Sequence, residues 1–475
     1  MSESQDRPVS HRLSRRAFVT SSTALVAFSL LSACARGGEQ GGQAPAKVAT
    51  PPGKPEAEPT VAPTPIVAEA GRGSTVINFW NGLTGPDGEG MQRLVERYTQ
   101  QNADITVKMQ RIPWRTFYDK FSASLVAGNP PEMAIFHSEQ VIRYSSRGLL
   151  RQLDELVQGQ LVPGATIPID DMGYTLPYAQ YEGKLYSVPL DQYTWAILYN
   201  KNLVKEAGLD PDKPPTTREE FVEWGRRMTV DNNGKRLGES GFDAKNVKVW
   251  GLAYNLNSSI WQSLMAQQGV DPMISGAGAT DVNTDSAEGV KALQEMVSWR
   301  EQHGFAPPAS GSDPVEGFWA GKLAMYFNGV WMTNAIKEHS DIPTGVAPIP
   351  KFFQQPKVTF SGHQMTIPAK TQGKALEETY KLIKFISDNA IEWAKEGQTP
   401  ARKSLLNSAE FQQLWPQAVY AKQLPTGVVI KPHLKLIELG DQIDPAVAAA
   451  LDGQKKPEEA LKEAADRQRQ ILTRA

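Results

Sequence analysis

Cysteine is almost absent. Cys34 is the only one in 475 residues, so no internal disulfide can form and no thiolate cluster can hold a metal. Histidine is sparse too, scattered at His11, His137, His303, His339, His363 and His433 with no pair at metal-ligand spacing. Neither charge is in surplus, with 50 Lys+Arg against 52 Asp+Glu. That balance removes the basic footprint of a nucleic-acid binder and the acidic excess of a disordered chain. No long apolar run follows Cys34, and the body is expected to be soluble. There is no Gly-x-Ser-x-Gly elbow, His-Glu-x-x-His zinc pair or phosphate-binding Gly-x-x-x-x-Gly-Lys-Ser/Thr loop. Asp231-Asn232-Asn233-Gly234 opens like a calcium loop, but Phe242 stands where the bidentate glutamate belongs, and Asn-Gly favours a tight hairpin. Neither a metal nor a cofactor is expected.

What is present begins with an export signal. Ser14-Arg15-Arg16-Ala17-Phe18-Val19 leads into an uncharged stretch from Ala17 to Ala33, closed by Leu31-Ser32-Ala33-Cys34. Paired arginines, a weakly apolar segment and a small-residue exit mark residues 1–33 as a signal peptide using the twin-arginine route. Leu-Ser-Ala-Cys resembles a bacterial lipobox, which makes Cys34 the lipidation site and the mature N-terminus. The alternative, a transmembrane anchor, is the weaker reading, because the uncharged run is shorter than a span requires and carries Thr20, Ser21, Ser22, Thr23 and Ser29. The expected location is the extracytoplasmic face of the cell membrane.

From residue 34 to 74 the composition changes. Gly37, Gly38, Gly41 and Gly42 lead into prolines at 45, 51, 52, 55, 59, 63 and 65, with no aromatic residue. Such a segment cannot bury a core and is expected to be a disordered tether. The folded body is expected over 75–475. Val76-Ile77-Asn78-Phe79-Trp80 reads as a strand, followed by a helix carrying Met91, Leu94, Val95 and Tyr98 on one face. Ile105, Val107 and Met109 alternate as a strand, Trp114 opens a helix with Phe117, Phe121 and Leu125, and Met133-Ala134-Ile135-Phe136 is a third strand. Strand, helix, strand, helix, strand implies a parallel sheet covered by helices, an α/β body. Further on, Trp195 to Tyr199 has strand character, Thr216 or Thr217 and Asp285 or Ser286 start helices, and a last helix begins near Pro457.

Ile77-Asn78-Phe79-Trp80, Gly128-Asn129-Pro130-Pro131-Glu132-Met133-Ala134 and Leu198-Tyr199-Asn200-Lys201 carry a resemblance that spans nearly the whole body. Phe318-Trp319-Ala320-Gly321-Lys322-Leu323-Ala324-Met325 with Gly329-Val330-Trp331, then Pro400-Ala401-Arg402-Lys403, continue it. In order and spacing they resemble the extracellular solute-binding proteins of ABC importers, sugar-binding family 1. The resemblance implies a periplasmic-binding-protein-like, type II fold: two α/β lobes joined by crossing hinge strands. It implies crossings near 191–195, 361–366 and 399–403. Lobe one is then about 75–190 plus 362–399, and lobe two about 195–360 plus 404–475.

A saccharide presents hydroxyls and C–H faces, so its cleft needs flat aromatic rings beside directional polar groups. Trp80 and Asn81, Trp114 and Glu139 sit beyond carboxyl ends of strands, where ligands of such sheets bind. Asp191, Tyr193 and Trp195 fall at the first implied crossing, Gly362 and His363 at the second, and Arg402 at the third. Trp261 lies in a loop by pattern, and Trp331 in the Gly-x-Trp element. These residues are the expected ligand contacts. Trp224, Trp299, Trp393 and Trp415 fall within helical patterns and are expected in the core. The expected function is a lipid-anchored monomer that captures a sugar or related small polar solute by hinge closure and delivers it to ABC permease subunits. It is not expected to be an enzyme or to bind nucleic acid. The rival is an exported glycoside hydrolase, which needs two opposed carboxylates; Glu139 and Asp191 are the nominees.

Overall fold

A computed structural model describes residues 64–255, 257–276, 278–310 and 313–474. Arg15, Arg16, Cys34 and the tether as far as residue 63 lie outside the described residues. In chain order, the strands of the first sheet before the chain leaves it are β1 (Ile66–Gly71), β2 (Thr75–Asn81), β3 (Ile105–Arg111), β4 (Met133–His137) and β5 (Ser187–Pro189). The second sheet uses β6 (Tyr193–Asn200), β7 (Met325–Gly329), β8 (Thr344–Pro348) and β9 (Val358–Ser361). The chain then returns as β10 (His363–Thr366) to the first sheet and adds β11 (Gly427–Val428) to the second.

The first sheet has the order β1-β3-β2-β4-β10-β5. Its centre is the expected unit: β2 runs parallel to both β3 and β4, with α1 (Pro86–Gln101) and α2 (Trp114–Ala127) as crossovers. Period-two alternation turns Ile77 and Phe79 of β2 into a core with Met91, Leu94, Val95 and Tyr98 of α1. Helix α2 buries Phe117 and Phe121 against Phe136 and Tyr144 on the other side of the sheet. It stops at Gly128, whose φ of 80° is the left-handed conformation that satisfies a helix end.

Two strands run against the parallel set. β10 pairs antiparallel to β4 and β5, and β1 pairs antiparallel to β3 along its whole length, from Ile66 opposite Arg111 to Gly71 opposite Thr106. Composition assigned residues 66–71 to the tether; they are an edge strand instead. Only Ala70 of β1 is buried, so the strand is held by backbone pairing to a ready edge and not by side-chain burial.

The second sheet is built around β6, all eight residues of which are buried, in the order β7-β6-β9-β11 with β8 also paired to β6. β7, β8 and β9 are antiparallel to β6. Helices Arg218–Met228, Asn257–Ala266, Ala287–Glu301 and Pro457–Thr473 pack their own core here, separate from that of the first sheet. The first starts with a complete capping box, Thr217 with Glu220, and Ser286 caps the third. Trp224, Trp299 and Trp393 are core residues, whereas Trp415 stands 48% exposed in a turn and does not belong to the core.

Each sheet thus carries a lobe with its own core. The chain passes between them from β5 to β6, from β9 to β10, and near Thr399 to Arg402. These passages are knitted together: Leu190 N donates to His363 O (2.9 Å), Gln192 N to Thr399 O (2.9 Å) and Ala401 N to Leu190 O (3.2 Å). Among the described residues no helix is long and apolar enough to cross a membrane.

Candidate binding cleft

A cavity of about 510 Å³ lies against these passages, lined from both lobes. The first lobe supplies Trp114, His137, Glu139 and Tyr178; the passages supply Tyr193, Ser361 and His363. From the second come Trp195, Ser259, Gln262, Met273 and Trp331, with Ile430 and the 436–441 stretch.

Two tryptophans sit on glycines. Trp114 is the first residue of α2, just past the carboxyl end of β3, and its ring covers Gly82, where a Cβ would lie 2.0 Å from the indole. Trp331 follows β7, and its ring covers Gly329, where a Cβ would lie 2.1 Å away. The Gly-x-Trp element therefore has a steric meaning: the glycine clears the strand end so that the indole can lie over it. Between them the rings are continuous. Trp114 stacks on His363 (5.6 Å, 12°), His363 meets Tyr193 (5.4 Å), and Trp331 stands edge-on to Tyr193 (5.3 Å, 88°) and to Trp195 (5.5 Å, 78°). Trp195 is locked by its Nε1–H donating to Thr359 Oγ1 (3.2 Å).

The polar groups are equally constrained. Tyr118 Oη accepts from the His137 backbone N–H and shares a hydrogen bond with its Nδ1, both at 2.9 Å. Burial holds the His137 pKa well below its ordinary value, helped by nearby His363, so the ring is neutral. His363 is the opposite case. Burial disfavours its charge, but the Asp191 carboxylate beside Nδ1 (2.9 Å) outweighs that and raises its pKa. Asp191 is fully buried and also accepts from the His363 backbone N–H (2.7 Å) and from Trp393 Nε1 (3.0 Å). Glu139 is the middle residue of the short 3-10 turn Ser138–Gln140 after β4 and accepts from Ser361 Oγ (2.9 Å); burial raises its pKa.

Half of the expected contacts line the cavity: Trp114, Glu139, Tyr193, Trp195, Trp331 and His363. The others do not. Trp80 faces the α2 side of the sheet, with Lys120 Nζ 4.9 Å from its ring. Asn81 is buried, its side chain accepting from Leu83 N. Trp261 belongs to helix Asn257–Ala266, not to a loop, and is a core residue donating to Gly289 O. Asp191 stands behind His363 as its counter-ion. Gly362 is a packing glycine, since a Cβ there would lie 2.3 Å from Asp191 O, and its own carbonyl accepts from Ser138 N and Oγ. Arg402 pairs with Asp171 and Asp388. Sequence reasoning passed over His137, although it stands two residues before Glu139 at the same strand end. Nothing local marked Tyr178, Gln262 or Asp441, which reach the cleft from elements remote in sequence.

The model of the family described as bacterial extracellular solute-binding protein matches residues 93–417. The sn-glycerol-3-phosphate-binding periplasmic protein UgpB of Salmonella typhimurium is 24% identical over 440 residues, covering 84% of this chain and 93% of its own. The fold is similar to that of an ABC transporter solute-binding protein from Thermotoga lettingae bound with α-D-tagatose, with a TM-score of 0.71 and 22% identity over 84% of this chain and all of that one. It is also similar to UgpB from Mycobacterium tuberculosis in complex with glycerophosphocholine, with a TM-score of 0.70 and 20% identity over 84% of this chain and 98% of that one. The architecture is that of two-lobed, type II periplasmic binding proteins.

Proposed function

The chain belongs to the bacterial extracellular solute-binding proteins, and from that membership we propose that it is the solute-capturing component of an ABC importer. A sugar or related small polar solute enters the aromatic cleft, and the lobes close on it. The observation that carries this reading is the cavity itself: indole platforms from both lobes, Trp114 and Trp331, flank ordered polar groups at the passages between them. Aromatic faces suit the C–H surfaces of a ring, while Glu139 and His363 suit its hydroxyls. Because contacts come from both lobes, ligand favours the closed arrangement and shifts the population toward it. The closed form is the one a permease would read.

Membership is of a family of binding proteins, not enzymes. The hydrolase alternative also loses its nominated pair, because the Asp191 carboxylate is occupied by His363 and Trp393 and does not face the cavity. Arg15, Arg16 and Cys34 support twin-arginine export and lipid anchoring of a monomer beside its transporter, where tethering raises the effective concentration. A Cys34→Ala chain is then released from the membrane fraction; retention there would refute the anchor. Solute capture is tested by thermal shift and tryptophan fluorescence against sugars, polyols and phosphorylated solutes. Failure of every compound to raise the Tm would remove this function, since a ligand of the native state must stabilise it.

A further inference from the structure

We propose that Glu139 and Asp441 make this cleft selective for uncharged hydroxylated ligands and turn away phosphate-bearing ones, a narrowing that rests on the solute-capture reading. Among the described residues the lining holds these two carboxylates, one from each lobe, and neither a lysine nor an arginine. Glu139 approaches from the first lobe with one oxygen accepting from Ser361 Oγ. Asp441 approaches the rim from the second lobe. A carboxylate oxygen is a strong acceptor for a sugar hydroxyl, so the same groups reward a neutral polyol. Toward a phosphate they act by repulsion, and a specificity built on a disfavoured competitor needs only such unpaired like charge.

Among the described residues no lysine or arginine lines the cavity, and the His363 imidazole is drawn first by Asp191 and only secondarily by Glu139. His363 is already balanced by Asp191, and His137 is neutral. Arg402, Arg111 and Arg143 all lie outside the lining. Arg402 is paired with Asp171 and Asp388, and Arg111 packs against the first turn of α1 at Gly88. Burial and then Asp444 raise the Asp441 pKa, and Arg143, which does not line the cavity, opposes them only in part. Phosphate recognition calls for a guanidinium fork, an ammonium or a cluster of converging N–H groups. The cleft presents none of the first two. The relatives that bind glycerol phosphate therefore mark a different branch of ligand chemistry.

The experiment titrates the full-length chain, wild type and the Glu139→Gln/Asp441→Asn double variant, with four probes by calorimetry and thermal shift. Two probes are neutral, D-tagatose and maltotriose, and two carry phosphate, sn-glycerol 3-phosphate and glycerophosphocholine. Expected is binding of a neutral probe to wild type with neither phosphate compound within about tenfold of its Kd, and a gap that shrinks by about tenfold in the double variant. A phosphate compound that binds wild type as tightly as the better neutral probe overturns the selectivity and leaves solute capture standing. An unchanged gap in the double variant removes Glu139 and Asp441 as its cause. Silence from all four probes overturns solute capture, and the selectivity with it.

Discussion

Single side chains in this protein divide into those that face the cleft and those that hold the facing ones in place. Trp331→Ala and Trp114→Ala each remove a platform and are expected to weaken binding by about 1.5 kcal/mol, roughly tenfold in Kd. Trp80→Ala, outside the lining, should leave Kd unchanged, and a comparable loss there would mean the cavity extends to the other side of β2. Asp191 acts from behind. Asp191→Asn strips the counter-ion from a buried imidazolium and should cost about 3 kcal/mol of stability below pH 6.5, read from denaturant unfolding. The pH dependence follows from the two histidines with opposite signs. The His363 pKa is raised in the fold, so its contribution is complete below the ordinary value of 6.5 and is lost as pH rises through the folded value. The His137 pKa is lowered, so its neutral ring is favourable above 6.5, and stability is lost as pH falls from there toward the folded value. Measured from about pH 5 to about pH 9, the alkaline decline should flatten in Asp191→Asn while the acid decline persists. An unaltered alkaline limb would show that His363 is not the titrating group.

Elements owe their placement to backbone fit as much as to side-chain pattern. The parallel unit β2-α1-β3-α2-β4 is written in the spacing of Ile77, Phe79, Met91, Leu94, Val107 and Phe117, because each element must bury one periodic face. β1 is not written that way; five of its six residues remain outside the core, and only the open edge of β3 makes Ile66–Gly71 a strand. The strand ends carry the sharper constraint. Gly82→Ala and Gly329→Ala drive a methyl group into the Trp114 and Trp331 rings, 2.0 and 2.1 Å from the added Cβ. Each is expected to cost about 1–3 kcal/mol in stability and to weaken ligand binding in proportion to the tilt of its platform. Titration and unfolding of the same variant check this: stability lost with Kd intact would show that neither ring position matters to ligand.

At the scale of the whole molecule, two cores meet at three hydrogen-bonded passages, and the cavity belongs to neither core alone. A ligand bridging Trp114 and Trp331 is expected to reduce the radius of gyration in small-angle scattering while leaving helix and strand content unchanged. At a hundred times Kd it should stabilise the native state by about 2.7 kcal/mol. Stabilisation without any contraction would refute closure as the mechanism while leaving binding intact.

Membership was legible only as a resemblance carried by motifs in order. The α/β class and the run of elements were legible in local pattern, because periodicity and capping residues act over a few neighbours in the chain. So were the platforms that a local motif announces, such as Gly329-Val330-Trp331. The cleft as a set was not legible. Half of its expected contacts turned out to be packing or hinge groups, and Tyr178, Gln262 and Asp441 joined it without any local mark. Which face of a strand end looks into the cavity, and which carboxylate is already spent on a histidine, depend on contacts between residues far apart in sequence. Asp191 and His363, 172 positions apart, are the plainest instance. Local physical chemistry suffices for the elements; their docking alone assigns Asp191 to His363 and leaves Glu139 facing the cavity.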